Sequence, residues 1–179
     1  MKSTLVRYLQ RPELFVSYLG RHGFLNWVPD KTYLSMRYRM FMGEKLNLDN
    51  PMTFNEKIQW LKLNDHNPLY STLVDKIKVK EYIGNRYSDI KVIPTIGVWD
   101  RAEQIDFDTL PDQFVLKCNH DSNSVVICRD RDKFDYEACR KKLNNALKRN
   151  FYNLAREWAY KNVKPQILAE PYMGGGKGL

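Results

Sequence analysis

The first half of the chain places apolar residues at helical spacing, and the second half places them at strand spacing. Leu5, Leu9, Phe15 and Leu19 mark a helix from Ser3 to Leu19, kinked or split in two at Pro12, with Arg7 and Arg11 outward. Lys31 to Gly43 reads as a second helix closed by its glycine. In PMTFNEKIQWLKLND, Thr53 and Glu56 form the spacing of a capping box, and Phe54, Ile58 and Leu61 fall on one predicted apolar face. NPLYSTLVDKIKVKEYIGNRY predicts one further helix ending near Gly84.

From Asp89 the period shortens. KVIPTIGVW is β-branched and apolar with a proline inside it, which suits an extended segment or an edge strand. FVLKCN alternates, with Phe114, Leu116 and Cys118 on one side and Val115, Lys117 and Asn119 on the other. SVVICRD is a second strand joined to it by the turn HDSN. Asp135 is placed to cap a helix carrying Tyr136, Cys139, Leu143 and Leu147, a short helical stretch holds Leu154 and Trp158, and PQILAEPYM reads as a last strand. Helices followed by a small sheet with helices between its strands define an α+β class. The expected organisation is a mostly helical region over 1–88, a sheet-bearing subdomain over 89–173 and a flexible tail, GGGKGL, over 174–179.

Composition narrows the class without fixing the function. The 179 residues are 43% hydrophobic and 28% charged, which suits a globular chain, and no apolar run approaches the ~18 residues of a membrane-spanning helix. No secretory leader is evident and the three cysteines lack metal-ligand spacing, so the reading is a cytoplasmic protein with reduced, partly buried thiols. The net charge of +8 sits at the two ends, +4 over residues 1–65 and +6 over 131–179, against −2 between them. Its densest cluster, CRKKLNNALKRN, is either a solvated helix face or a surface for an anionic lipid, polysaccharide precursor or nucleic acid. No zinc finger, helix-turn-helix or RNA-binding signature accompanies it, so specific nucleic-acid recognition is not expected.

The residue that most needs a partner is Lys117, an ammonium inside an apolar strand. Burying it is costly unless an anion meets it, either a carboxylate of the fold or the phosphate of a ligand. His120 in the following turn reads first as a cap or hydrogen-bonding residue of that turn, with a phosphate contact as the alternative. The histidines lie far apart in sequence, so no Ser–His–Asp or Cys–His constellation is legible, and GGGKGL lacks the spacing of a P-loop.

The strings FVLKCNHDSNSVVICRD and RNFYNLAREWAYKNVKPQILAEPYM, with PMTFNEKIQWLK and DKIKVKEYI, resemble the TupA-like (teichuronopeptide biosynthesis) group of ATP-grasp proteins over about Tyr33 to Met173. Members of that group are often encoded with bacterial capsule and surface-polysaccharide glycosyltransferases and are frequently labelled as such. The resemblance implies an ATP-grasp-like fold with a mainly antiparallel sheet and a nucleotide held between two α+β subdomains. It implies ATP as cofactor, with Lys117 and Lys76 on its phosphates and the loop His120, Asp121, Ser122, Asn123 and Ser124 covering them. Backbone N–H groups of such a loop form a nest for anions. It further implies that Glu170 reads the adenine amino group, with Pro171 and Met173 bordering the base.

Two departures accompany the resemblance. Asn123 and Ser124 stand where the family's loop usually carries glycine, and of these only Asn adopts a left-handed conformation with ease. The family takes its magnesium ligands from beyond the hinge strand, and six residues follow Met173, so no metal ligand is assigned and the stretch is expected to be the nucleotide-binding front half of its parent, inactive alone. The parent reaction would be ATP-dependent activation of a carboxylate and amide ligation on an anionic polysaccharide precursor, with a missing half or an oligomer partner completing it. Contact with the inner face of the membrane stays open as a peripheral role. The alternatives are a glycosyltransferase, for which Asp130-Arg131-Asp132 has the letters of an acidic metal motif, and a non-catalytic module that binds nucleotide or a partner.

Overall fold

A computed structural model describes residues 10–174 of the chain. The chain divides into two compact units, one built from residues 1–71 and 150–162 and the other from 72–149 and 163–179. The predicted tail falls almost wholly outside the described residues, as does the part of the first predicted helix before residue 10.

The first unit is helical. Helix α1 (Pro12–Arg21) has Pro12 in its first turn, where a missing N–H costs nothing. Helix α2 (Asp30–Met42) ends at Gly43, whose φ of 77° is left-handed. Because that position suits glycine and open space surrounds the point where a Cβ would project, Gly43→Ala should cost about 1 kcal/mol through backbone strain alone, read as a lowered midpoint in urea unfolding. Helix α3 (Phe54–Asn64) starts with the capping box the sequence predicts, the Thr53 hydroxyl accepting from the Glu56 N–H and the Glu56 carboxylate from the Thr53 N–H.

The apolar face assigned to α3 is corrected by the structure. Phe54 is 76% exposed and Leu61 is also exposed, whereas Glu56 turns inward and Leu63 packs against the cluster of Leu34, Tyr38 and Leu46. Glu56 is drawn in because its carboxylate also accepts from the N–H groups of Asn47 and Met52, and this rotates the helix away from the face that hydrophobicity alone would choose.

The stretch read as one helix before Gly84 is two: α4 (Leu69–Val74) and α5 (Lys78–Arg86). Between them Asp75 is buried and its carboxylate accepts from the N–H groups of Ile77 and Lys78, so a side chain takes the place of the helical carbonyl. Helix α7 (Phe151–Ala155) closes at Arg156 in the left-handed region, followed by a single 3₁₀ turn, Trp158–Tyr160.

The second unit holds one four-stranded antiparallel sheet, in the order β1 (Gly97–Trp99), β4 (Ile167–Pro171), β2 (Phe114–Cys118), β3 (Val126–Cys128). The α+β class is therefore observed, and β1 is an edge strand as its proline-containing approach suggests. Phe114, Leu116 and Cys118 share one face with Ile167, Ala169 and Cys128, and helix α6 (Tyr136–Leu147), capped by Asp135, brings Cys139, Leu143 and Ala146 into the same core. Phe107, Phe114, Phe134 and Tyr136 extend this core through edge-to-face and tilted ring contacts. All three cysteines are free and buried, and burial pushes the thiols of Cys118 and Cys139 up to about 11. Among the described residues no helix is long and apolar enough to cross a membrane.

Candidate functional site

The opposite face of the sheet carries the chemistry. Register places Glu170 across from Val115 and Lys117 across from Leu168, so Lys117 and Glu170 are diagonal neighbours on one face. Lys117 Nζ lies 2.6 Å from Glu170 Oε2, and Lys80 Nζ, reaching over from α5, lies 2.5 Å from Oε1. The anion that Lys117 requires within the fold is therefore Glu170. Glu170 is 5% exposed, and the side chains of Lys80 and Lys117 are 17% and 21% exposed. Burial works to raise the Glu170 carboxyl, but hydrogen bonds from Lys117 and Lys80 outweigh it and hold the group below its ordinary range. Two ammonium groups share one carboxylate, so this trio carries a net positive charge.

Lys76 lies at the break between α4 and α5. Its backbone N–H donates to the Asn119 carbonyl at 3.1 Å, and its Nζ donates to the carbonyls of Asn119 and Asp121. It is thus tied to the loop after β2 by backbone oxygens, not by a carboxylate. Burial lowers its pKa, with Asp121 opposing and the charge of Lys117 adding to the fall, which places the two lysines within electrostatic reach of each other.

The loop itself is held from inside. Asn119 is fully buried: its amide donates to Asp75 Oδ1 and the Lys164 carbonyl, each at 3.0 Å, and its Oδ1 accepts from the Gln166 N–H at 2.8 Å. The Ser124 hydroxyl donates to Asp121 Oδ1 and accepts from the Cys118 N–H at 2.7 Å. Asp121 is buried, and its Oδ2 has no hydrogen-bond partner among the described residues. Ser122 and Asn123 form the exposed tip.

His120 points into the unit, Nε2 3.3 Å from the Ala146 carbonyl and Nδ1 3.3 Å from Asn119 Oδ1, and burial lowers its pKa. It braces the loop against α6. Pro171 pairs with Phe114 and so falls on the face opposite to Glu170, whereas Met173 is exposed beyond the strand.

The sheet face thus gathers Lys117 and Glu170, and Lys76 anchors the adjoining loop. His120 and Ser124 serve the loop's own structure. Sequence reading missed Lys80 and Asn119. DKIKVKEYI offers three lysines at alternate positions, and only the helix break at Asp75 sets which of them faces the sheet. Asn119, polar at the end of an apolar strand, was the one legible signal of an anchor.

Residues 56–178 match a family model described as TupA-like ATPgrasp. No curated protein and no solved structure matches the chain.

Proposed function

Because the chain belongs to the TupA-like ATP-grasp family, we propose that the face bearing Lys80, Lys117 and Glu170 binds the phosphates of ATP within an ATP-grasp fold of surface-polysaccharide biosynthesis. The observation that carries this reading is the excess of ammonium over carboxylate at the trio: a polyphosphate can accept from Lys80 and Lys117 while Glu170 keeps both ammonium groups aimed. Lys76 adds a third cation beside a loop whose backbone it pins. The exposed apolar residues of the same sheet face, Val98 and Ile127, with half-buried Val115 beside them, offer a surface for a base.

When bound, ATP would supply the leaving group for converting a carboxylate into an acyl phosphate, the step that precedes amide formation. This chain's residues orient the phosphates: Glu170 fixes the lysines, Asn119 fixes the loop, and Lys76 couples the two. In this reading both Glu170 oxygens are engaged by ammonium groups, so its role is to aim the lysines. Among the described residues no group of three or more His, Cys, Asp or Glu side chains is placed to hold a metal ion, and no step is assigned here to the magnesium expected of the parent.

The acceptor is proposed to be an anionic polysaccharide precursor, on the strength of the family and of the basic helix α6. Two basic residues of that helix are already committed, Arg140 to the Ala102 carbonyl and Lys142 to the Val125 carbonyl, which leaves Lys141, with Lys148 and Arg149 just past the helix end, exposed for an anion. The glycosyltransferase alternative loses support at Asp130, whose carboxylate caps the turn Arg131–Lys133 and pairs with Lys133.

Thermal unfolding with ATP, with UDP-glucose and without ligand tests the proposal. At about 100 times its Kd, ATP should stabilise the chain by roughly 2.7 kcal/mol, and Lys117→Ala should abolish that gain. Stabilisation by UDP-glucose alone would favour sugar-nucleotide chemistry, and a shift that survives Lys117→Ala would remove phosphate from this face.

A further inference from the structure

The helical unit contains a second site with the composition of a binding pocket. A cavity of about 160 Å³ opens between α2 and α3, lined by Arg37, Tyr38, Phe41, Asn55, Gln59 and Lys62 among others. Most of these residues precede the stretch that matches the family, which begins at residue 56. Two cations line the cavity and no carboxylate does.

The two cations are held differently. The Arg37 guanidinium stacks over the rings of Phe41 and Tyr33 at 5.0 and 5.7 Å and donates to Ser17 Oγ at 3.0 Å, so its position is fixed by packing. Lys62 is half-buried, and its ammonium makes no hydrogen bond or ion pair among the described residues. Burial lowers its pKa, Glu157 opposes through space, and the charge of Arg37 adds to the fall. An ammonium drawn partly out of water beside a guanidinium, with aromatic walls, two amide side chains and no carboxylate in the lining, leaves a place for an anion. A ligand that brings one anionic head to Lys62 and Arg37 and an apolar body to Tyr38 and Phe41 satisfies each of these groups.

We infer that this cavity is a binding site for a small organic anion, a carboxylate or phosphate monoester carrying an aromatic or aliphatic body, distinct from the nucleotide face. The anionic head bridges Lys62 and Arg37, the amides of Asn55 and Gln59 complete its hydrogen bonds, and the body lies against Tyr38 and Phe41. The pair of cations gives the site selectivity for charge, and the modest volume limits it to a body of about one ring.

The experiment is an NMR-detected titration of the full chain with benzoate, phenyl phosphate, inorganic phosphate and benzyl alcohol. Benzoate or phenyl phosphate should perturb the resonances of Arg37, Gln59 and Lys62, and the tighter of the two identifies the head group. Benzyl alcohol, lacking charge, and inorganic phosphate, lacking a body, should each bind at least roughly tenfold more weakly. Lys62→Gln should weaken the anionic probe by roughly tenfold and leave benzyl alcohol unchanged, since it removes one charged hydrogen bond and no packing. The unliganded variant should show the same dispersed spectrum, which separates lost binding from lost folding.

Absence of binding by either anionic probe up to about 10 mM would overturn the inference. Equal binding by Lys62→Gln would do the same. So would perturbation centred on Lys31, Arg39 and Lys45, which line a larger, more open hollow of the same unit. Failure of ATP to bind the sheet face leaves this result untouched, because the two sites share no residue.

Discussion

Glu170→Gln is expected to destabilise the sheet unit by about 3 kcal/mol, the range measured when one partner of a buried ion pair is removed. The substitution keeps the shape of the side chain and removes the charge, leaving Lys80 and Lys117 as two half-buried ammonium groups with no counter-ion between them. The amide can accept from one lysine and cannot satisfy both. Replacing all three residues by apolar side chains of similar length should recover most of the loss, since it removes the stranded charges along with the pair.

The same carboxylate sets a pH dependence with a defined sign. Its pKa in the folded chain is held below the ordinary value of 4.5, so its contribution is fully present above that value and is lost as pH falls through the folded pKa. Chemical denaturation at several pH values should show wild-type stability falling below about pH 4.5, with Glu170→Gln flatter over that window. An unchanged midpoint for Glu170→Gln at neutral pH would mean that solvent screens the trio despite its burial.

Arg156→Ala is expected to unfold the helical unit or cost it about 4 kcal/mol, combining a lost buried charge with a cavity. Arg156 is 1% exposed and the largest fully buried side chain among the described residues. Its guanidinium donates to the carbonyls of Leu25 and Asn153 at 2.7 and 3.2 Å, and its Nε lies 3.0 Å from Asp30 Oδ1. It also stacks over Tyr33 at 4.2 Å and Tyr152 at 5.2 Å, and Tyr152 in turn donates to Asp30. Burial, then the bond to Asp30, pushes the Tyr152 phenol up to about 12.

A second variant separates side chain from backbone. Arg156 has φ 52° and is the one non-glycine residue with positive φ among the described residues. Arg156→Gly loses the same contacts but removes the left-handed strain, so it should be about 1 kcal/mol more stable than Arg156→Ala in urea denaturation. Equal values for the two would mean that the strain is not borne at this residue.

The sequence was most legible where a single local rule decides the outcome. Thr53 and Glu56, Gly43 and Asp135 terminate helices through their own side chains or backbone freedom, and all four do what their spacing indicates. The alternation of FVLKCN set the two faces of β2 correctly, because a period of two leaves only one apolar set.

Legibility failed where distant groups compete. Asp75 looks like a helix interior residue until Asn119, 44 residues away, bonds its carboxylate and the break between α4 and α5 appears. Lys80 becomes a partner of Glu170 only through that break. Glu56 reads as half of a capping box, and its further bonds to Asn47 and Met52 turn α3 so that Phe54 and Leu61 face solvent. Lys117 announced its need for an anion from the strand pattern alone, yet the identity of that anion rests on a register between β2 and β4 that no local signal reports.

The central claim, that Lys80 and Lys117 form a phosphate site aimed by Glu170, is tested most directly by calorimetric titration of the chain with ATP and with AMP, repeated on Lys117→Gln. ATP should bind at least roughly tenfold more tightly than AMP, because its triphosphate brings more negative charge to the two ammonium groups, and Lys117→Gln should erase most of that difference. Equal affinity for ATP and AMP in the unaltered chain, or a preference that survives Lys117→Gln, would contradict the claim and leave Lys80, Lys117 and Glu170 as an ion-pair network of the fold alone.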